Sequence, residues 1–255
     1  MMPDAAAAVL VTIFGLAVGS FLNVCICRLP QHESLLWPSS RCPRCRTALK
    51  WYDNIPVLSY VVLRGRCRAC GTPISLMYPL VELVTALVFL GTFVLFEPIL
   101  FVSRLVFTCA MLVLLVIDLQ HRILPNVITV PGIVVGFLFS LFSPPGWRDS
   151  LIGIIAGGGV LLLIGEAYYR VRGEEGLGMG DVKMLAMIGA FLGWRLMLVT
   201  LVLSSLLGSI IGLSLIALKK GDMKYALPFG TFLAIGAGAA SVAGDALLRW
   251  YLSLY

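Results

Sequence analysis

The sequence predicts an all-α polytopic membrane protein of about eight transmembrane helices, with a small polar domain between the first and second spans. Three observations predict it. Of 255 residues, 60% are hydrophobic and 13% charged, whereas a soluble domain is nearer half apolar and a quarter charged; the mean hydropathy is +0.99. The apolar residues gather into runs, and a span needs about 20 of them. Only segment 29–78 is both long and polar, and it holds four of the seven cysteines.

Taken in order, the spans read as 5–28, 79–96, 99–117, 125–142, 151–169, 182–193, 196–218 and 228–250. The first has no basic residue before it, so it is a retained span and not a cleaved signal. The sixth is too short to cross unaided and reads as a half-helix lining a cavity, where broken helices are tolerated. Ser143-Pro144-Pro145-Gly146-Trp147 reads as a turn. Glycines at Gly157-Gly158-Gly159 and through 230–244 indicate close helix packing. No internal repeat is read. The chain divides into a first helix (1–28), a polar cysteine domain (29–78) and a membrane domain (79–255).

The net charge of +6 raises nucleic acid as a partner, but the charges lie in short loops between apolar runs, which excludes it. Segments 28–78, 118–124, 170–183 and 219–224 hold 15 of the 19 Lys and Arg residues. Arg104, Arg148, Arg195 and Arg249 are the rest. Basic loops stay cytoplasmic, so the N-terminus lies outside and the cysteine domain inside. The same rule puts Asp118 and Asp181 on one side.

Cys42-Pro43-Arg44-Cys45 is followed after 21 residues by Cys67-Arg68-Ala69-Cys70. Each pair offers two sulfurs to one ion, and two pairs complete a tetrahedron, so the domain reads as a structural zinc site. An iron–sulfur cluster is the other use of four thiolates. Stable disulfides do not suit a cytoplasmic loop. Cys25, Cys27 and Cys109 lie in apolar runs and read as small buried hydrophobes.

Gly178-Met179-Gly180-Asp181 puts a carboxylate at the mouth of one apolar run, and Asp118 closes another. A carboxylate at membrane depth marks a functional site. Two on one side point to acid–base work in which one is ionised and the other protonated, because like charges close together share a proton. In peptide hydrolysis the ionised one activates water and the other serves the carbonyl oxygen. Gly178 and Gly180, having no side chains, let the backbone approach an extended peptide. Glu82 and Glu166, also within spans, read as hydrogen-bonding groups, and His121 as a surface residue. Lys183 reads as a partner for an aspartate or for lipid phosphate. Glu174 and Glu175 form an acidic patch suited to a basic substrate segment.

Nearly the whole chain resembles the prepilin peptidases of bacterial type IV pilus and type II secretion systems, GxGD-type aspartic proteases. The resemblance rests on Gly19-Ser20-Phe21-Leu22-Asn23-Val24, Arg28-Leu29-Pro30 and both cysteine pairs, on the stretch from Trp51 to Tyr60, and on Tyr78-Pro79-Leu80-Val81-Glu82. It rests further on Asp118 with Leu124-Pro125-Asn126, and on Gly178 to Lys183. It implies an inner-membrane enzyme that cleaves the basic leader of prepilins and pseudopilins after a glycine on the cytoplasmic face, with Asp118 and Asp181 as the catalytic pair. It also implies N-methylation of the new N-terminus with S-adenosylmethionine, whose site no motif here places. Cys42, Cys45, Cys67 and Cys70 would bind zinc. One departure stands out: Pro228-Phe229-Gly230-Thr231 carries Thr where the family often shows a second Pro. The alternatives are a peptidase without methylation, and a proton or cation transporter using the same aspartates, for which the expected repeat symmetry is missing.

Overall fold

The computed structural model describes residues 5–173, 178–218 and 227–253. The chain divides into two compact units, 1–105 and 106–255.

In the first unit, α1 (Ala5–Arg28) packs along α3 (Met77–Leu95). Their contact follows from two glycines one turn apart. A Cβ on Gly15 would sit 2.9 Å from the Ala86 backbone, and one on Gly19 2.7 Å from that of Glu82. Only glycine allows backbones this close, and close approach substitutes in a bilayer for the hydrophobic drive that lipid removes. The opposite face of α1 exposes Val9, Leu10, Ile13 and Phe14, an apolar surface suited to acyl chains. Pro30 then ends the helix in a single 3-10 turn, Leu29–Gln31.

The polar segment between α1 and α3 holds little regular structure. It contains a 3-10 turn at Trp51–Asn54, the short helix α2 (Leu58–Val62) and two isolated bridges, Arg41 to Ala48 and Arg66 to Pro73. The Arg68 guanidinium donates to Asp53 at 2.7 and 2.9 Å and stacks 5.2 Å over the Tyr52 ring, tying the 3-10 turn to the second cysteine pair. Val57 takes φ 59°, ψ −47°, an unusual conformation for a β-branched residue. Its amide donates to the Glu82 carboxylate at 2.7 Å.

α4 (Pro98–His121) runs from the first unit into the second. There follow α5 (Asn126–Ser140), α6 (Trp147–Arg172), α7 (Met179–Ala217) and α8 (Phe229–Leu252). Gly193, at φ 76°, breaks α7 into halves 179–192 and 194–217. A Cβ there would strike Pro145 at 2.8 Å, so the turn at Ser143-Pro144-Pro145 and the break fit one another. The first half of α7 is the centre of the unit. Met184, Leu185, Met187 and Ile188 have no exposure, because α5, α6 and α8 all pack on α7.

Each of the eight spans read from the sequence falls on helix, with Gly193 separating the sixth from the seventh. Among the described residues six helices are long and apolar enough to cross a membrane. α5, with 15 residues, reaches only about 22 Å of a roughly 30 Å core. Its N-terminus follows Pro125, and Pro131 lies within it. The first half of α7 is shorter still, and it is sheathed by protein as a broken helix must be.

Candidate active site and metal centre

Asp118 lies three residues from the end of α4, where the helix dipole is negative and repels a carboxylate. The compensation comes from a different helix. Oδ2 of Asp118 accepts the Thr231 backbone N–H at 2.7 Å and the Thr231 hydroxyl at 2.9 Å. Thr231 is the third residue of α8, and its N–H belongs to the first turn, which has no intrahelical acceptor. The positive end of α8 therefore faces Asp118, which is only 5% exposed.

Asp181 is the third residue of α7, with Gly178 as N-cap. Its own N–H donates to the Gly178 carbonyl at 3.0 Å. An acid at the third position of a helix stands where the dipole favours negative charge. The Asp118 and Asp181 carboxyls lie near enough for their charges to interact. Two acids 63 positions apart in sequence thus come within range of one another's charge, each beside the positive end of a helix.

Glycines make room for them. A Cβ on Gly230 would lie 3.0 Å from Oδ2 of Asp118 and 2.9 Å from Leu124, and a Cβ on Gly180 would lie 2.9 Å from Leu124. Leu124 thus packs between the starts of α7 and α8. A Cβ on Gly178 would lie 3.3 Å from the Asp181 carboxylate. Lys183 reaches neither aspartate; it donates to Asn126 Oδ1 at 2.9 Å and joins α7 to the start of α5. Glu82 holds Val57, and Glu166 pairs with Arg170 one turn on at 2.8 Å. Glu174 and Glu175 lie outside the described residues. Leu124, Gly230 and Thr231 were not singled out as site residues from the sequence. The departure at Thr231 from the family pattern was the available signal.

The Sγ atoms of Cys42, Cys45, Cys67 and Cys70 lie within 4.8 Å of one another. Cys42 to Cys70 is 3.9 Å and Cys45 to Cys67 is 4.0 Å. A tetrahedron with zinc–sulfur bonds of about 2.3 Å has sulfur–sulfur edges of about 3.8 Å, so the four thiols fit that ion. The two knuckles are built alike. Cys42 N–H donates to Thr47 O and Cys67 N–H to Thr72 O, at 3.0 and 2.8 Å. Arg46 N–H and Gly71 N–H return to the first cysteine of each pair, at 2.9 Å in both. Arg46 and Gly71 occupy the same left-handed position, φ 58° and 69°. Thr47 and Thr72 hydroxyls lie 3.3 and 3.2 Å from the Cys45 and Cys70 sulfurs. The Thr72 hydroxyl, then its amide, hold the Cys70 thiol down at about 6, and Thr47 lowers Cys45 in the same way. A thiolate is the metal ligand, so this favours binding. Both knuckles spell Arg-Cys-x-x-Cys-x-Thr, a short repeat visible in the sequence at residues 41–47 and 66–72.

Comparison with known proteins gives consistent matches. Residues 13–96 match the Bacterial Peptidase A24 N-terminal domain, and residues 105–213 match the Type IV leader peptidase family. The prepilin leader peptidase/N-methyltransferase of Aeromonas salmonicida (strain A449) is 39% identical over 273 residues, covering 96% of this chain and 93% of that protein. Its namesake in Aeromonas hydrophila is 39% identical over 270 residues, with the same coverage. That of Myxococcus xanthus (strain DK1622) is 43% identical over 214 residues, covering 81% of this chain and 62% of that protein. No solved structure matches this chain.

Proposed function

Because this chain belongs to the type IV leader peptidase family, we propose that it removes the basic leader from prepilins and pseudopilins with Asp118 and Asp181 and then N-methylates the new N-terminus. The observation that carries the peptidase reading is the meeting of two carboxyls at two helix N-termini inside one unit. Membership of a peptidase family removes the reason to read the pair as a cation pathway.

Two facing carboxyls hold one proton between them, since both cannot ionise cheaply at close range. The ionised carboxylate takes a proton from water as the water oxygen bonds to the carbonyl carbon of the leader's final glycine. The protonated carboxyl gives its proton to the carbonyl oxygen, yielding a tetrahedral diol. In collapse, the first carboxyl passes its proton to the amide nitrogen and the C–N bond breaks. A diol hydroxyl returns its proton to the second carboxyl, so the pair ends in its starting state. Gly178 and Gly180 leave the backbone bare beside Asp181, which supports approach of an extended peptide.

The cysteine tetrad supports structural zinc held by Cys42, Cys45, Cys67 and Cys70. With four thiolates the site is closed, and the ion supplies cross-linking of a segment with little structure of its own. S-adenosylmethionine is the methyl donor. No residue is assigned to its site. Glu174 and Glu175 are proposed contacts for the basic leader; charge reversal at both should raise KM. The distribution of Lys and Arg supports a bacterial inner-membrane setting, with the N-terminus periplasmic and the aspartates and cysteines cytoplasmic.

The test is the mass of a purified prepilin after incubation with the protein in lipid, with and without S-adenosylmethionine. Wild type should release the leader and add one methyl group. Asp118→Asn and Asp181→Asn should leave the prepilin intact. Cleavage by either variant would remove that residue from the catalytic pair.

A further inference from the structure

We propose that Thr231 is a positioning residue of the peptidase site, holding Asp118 as the ionised partner that takes the proton from water. This rests on the catalytic reading of the aspartates and deepens it by giving the two carboxyls different roles. Both Thr231 donors fall on the same oxygen, Oδ2, at 2.7 and 2.9 Å. An oxygen that accepts two such bonds carries no proton, and two donors on one carboxylate favour its charged form. Asp181 differs: among the described residues its carboxylate has no such pair of donors. The better-donated carboxylate is the one held charged, so Asp118 is the base and Asp181 the acid.

The arrangement leaves little slack. Thr231 is 6% and Asp118 5% exposed, so water does not compete for the bonds. Gly230 lets the α8 backbone come this close, since a Cβ there would lie 3.0 Å from Oδ2. The rotation of Asp118 is therefore fixed by α8, 113 positions away along the chain.

The experiment measures kcat and KM for prepilin cleavage by Thr231→Val, Thr231→Ser and Thr231→Pro, beside Asp118→Asn, with thermal unfolding recorded for each. Val removes the hydroxyl and keeps shape and N–H. A lost hydrogen bond to a charged group predicts a fall in kcat of about tenfold or more with KM unchanged. Ser keeps both donors and should stay within about threefold of wild type. Pro removes both donors and should fall below Val. If Val and Pro turn over like wild type while Asp118→Asn is dead, the positioning role is wrong and the aspartate reading stands. Equal losses in Ser and Val at normal stability would assign the effect to packing and overturn the role. If Asp118→Asn still cleaves, the underlying reading fails instead.

Discussion

Gly153→Ala should slow the enzyme from a position that touches no substrate. Gly153 in α6 packs on Gly189 in α7, backbone against backbone. The added Cβ would lie 2.5 Å from the Gly189 carbonyl oxygen and 2.9 Å from its carbon. An ordinary contact is about 3.4 Å, so the helices must part by roughly 0.9 Å. No side chain can rotate away, because the obstacle is main chain. Overpacking of this kind costs about 1–3 kcal/mol. Alanine returns about 1 kcal/mol through helix propensity, so absolute stability alone is a poor readout. Gly159→Ala, in the same helix, is the control: nothing lies within 4 Å of its Cβ, and it receives the propensity gain alone. The difference between the two variants should be about 1–3 kcal/mol by thermal unfolding in one lipid or detergent. Gly189 lies on the half of α7 that carries Asp181, eight residues or about 12 Å on. A displacement near 1 Å at a reacting group costs up to about a hundredfold in rate, so kcat of Gly153→Ala should fall by about tenfold or more while that of Gly159→Ala holds. If the two variants match in stability and in kcat, the glycine crossing does not position the site.

Further predictions follow from single contacts. Gly230→Ala should nearly abolish cleavage in a folded protein, because the methyl would meet Asp118 Oδ2 and Leu124; near-normal kcat would show that α8 has room to shift. Glu82→Leu leaves the Val57 amide without its acceptor and should destabilise by about 1–3 kcal/mol, whereas Glu82→Gln keeps an oxygen and should lose less; equal unfolding midpoints would dismiss the bond. Gly71→Ala, at φ 69° with open space around it, carries only backbone strain of about 1–2 kcal/mol and should give up zinc to a chromophoric chelator more readily. Arg46→Gly at the matching position should hold it longer, and opposite orders would reject the equivalence of the knuckles. Native mass should show one zinc per chain, lost in Cys45→Ser; full occupancy in that variant would exclude Cys45 as a ligand.

Much of the architecture was legible because the bilayer imposes it. Apolar runs of fixed length, a polar cysteine segment and acids at run ends are each visible from composition and spacing. The break near Gly193 was legible too, since two apolar runs meet there with Trp194-Arg195 between them. Span length was less so. α5 looked long enough in hydropathy, but helix begins only after Pro125 and ends at Ser140, and apolar flanks do not reveal where hydrogen bonding stops. The glycine clusters were read correctly in kind but not in detail. Gly157 meets the Leu185 backbone, whereas Gly158 and Gly159 meet little, because helical rotation turns only one of three neighbours toward the partner.

The sequence by itself determined which groups are candidates for the chemistry proposed above: Asp118 and Asp181, the four cysteines, and the apolar runs between them. It did so because burial of charge in lipid and thiolate spacing are expensive to place by accident. Tertiary structure alone decided who faces whom. Only folding brings the start of α8 to Asp118, seats Leu124 between Gly180 and Gly230, and lays Gly153 on Gly189. These are contacts between backbones and helix ends far apart in the chain, and such contacts leave no local pattern in the residues that make them.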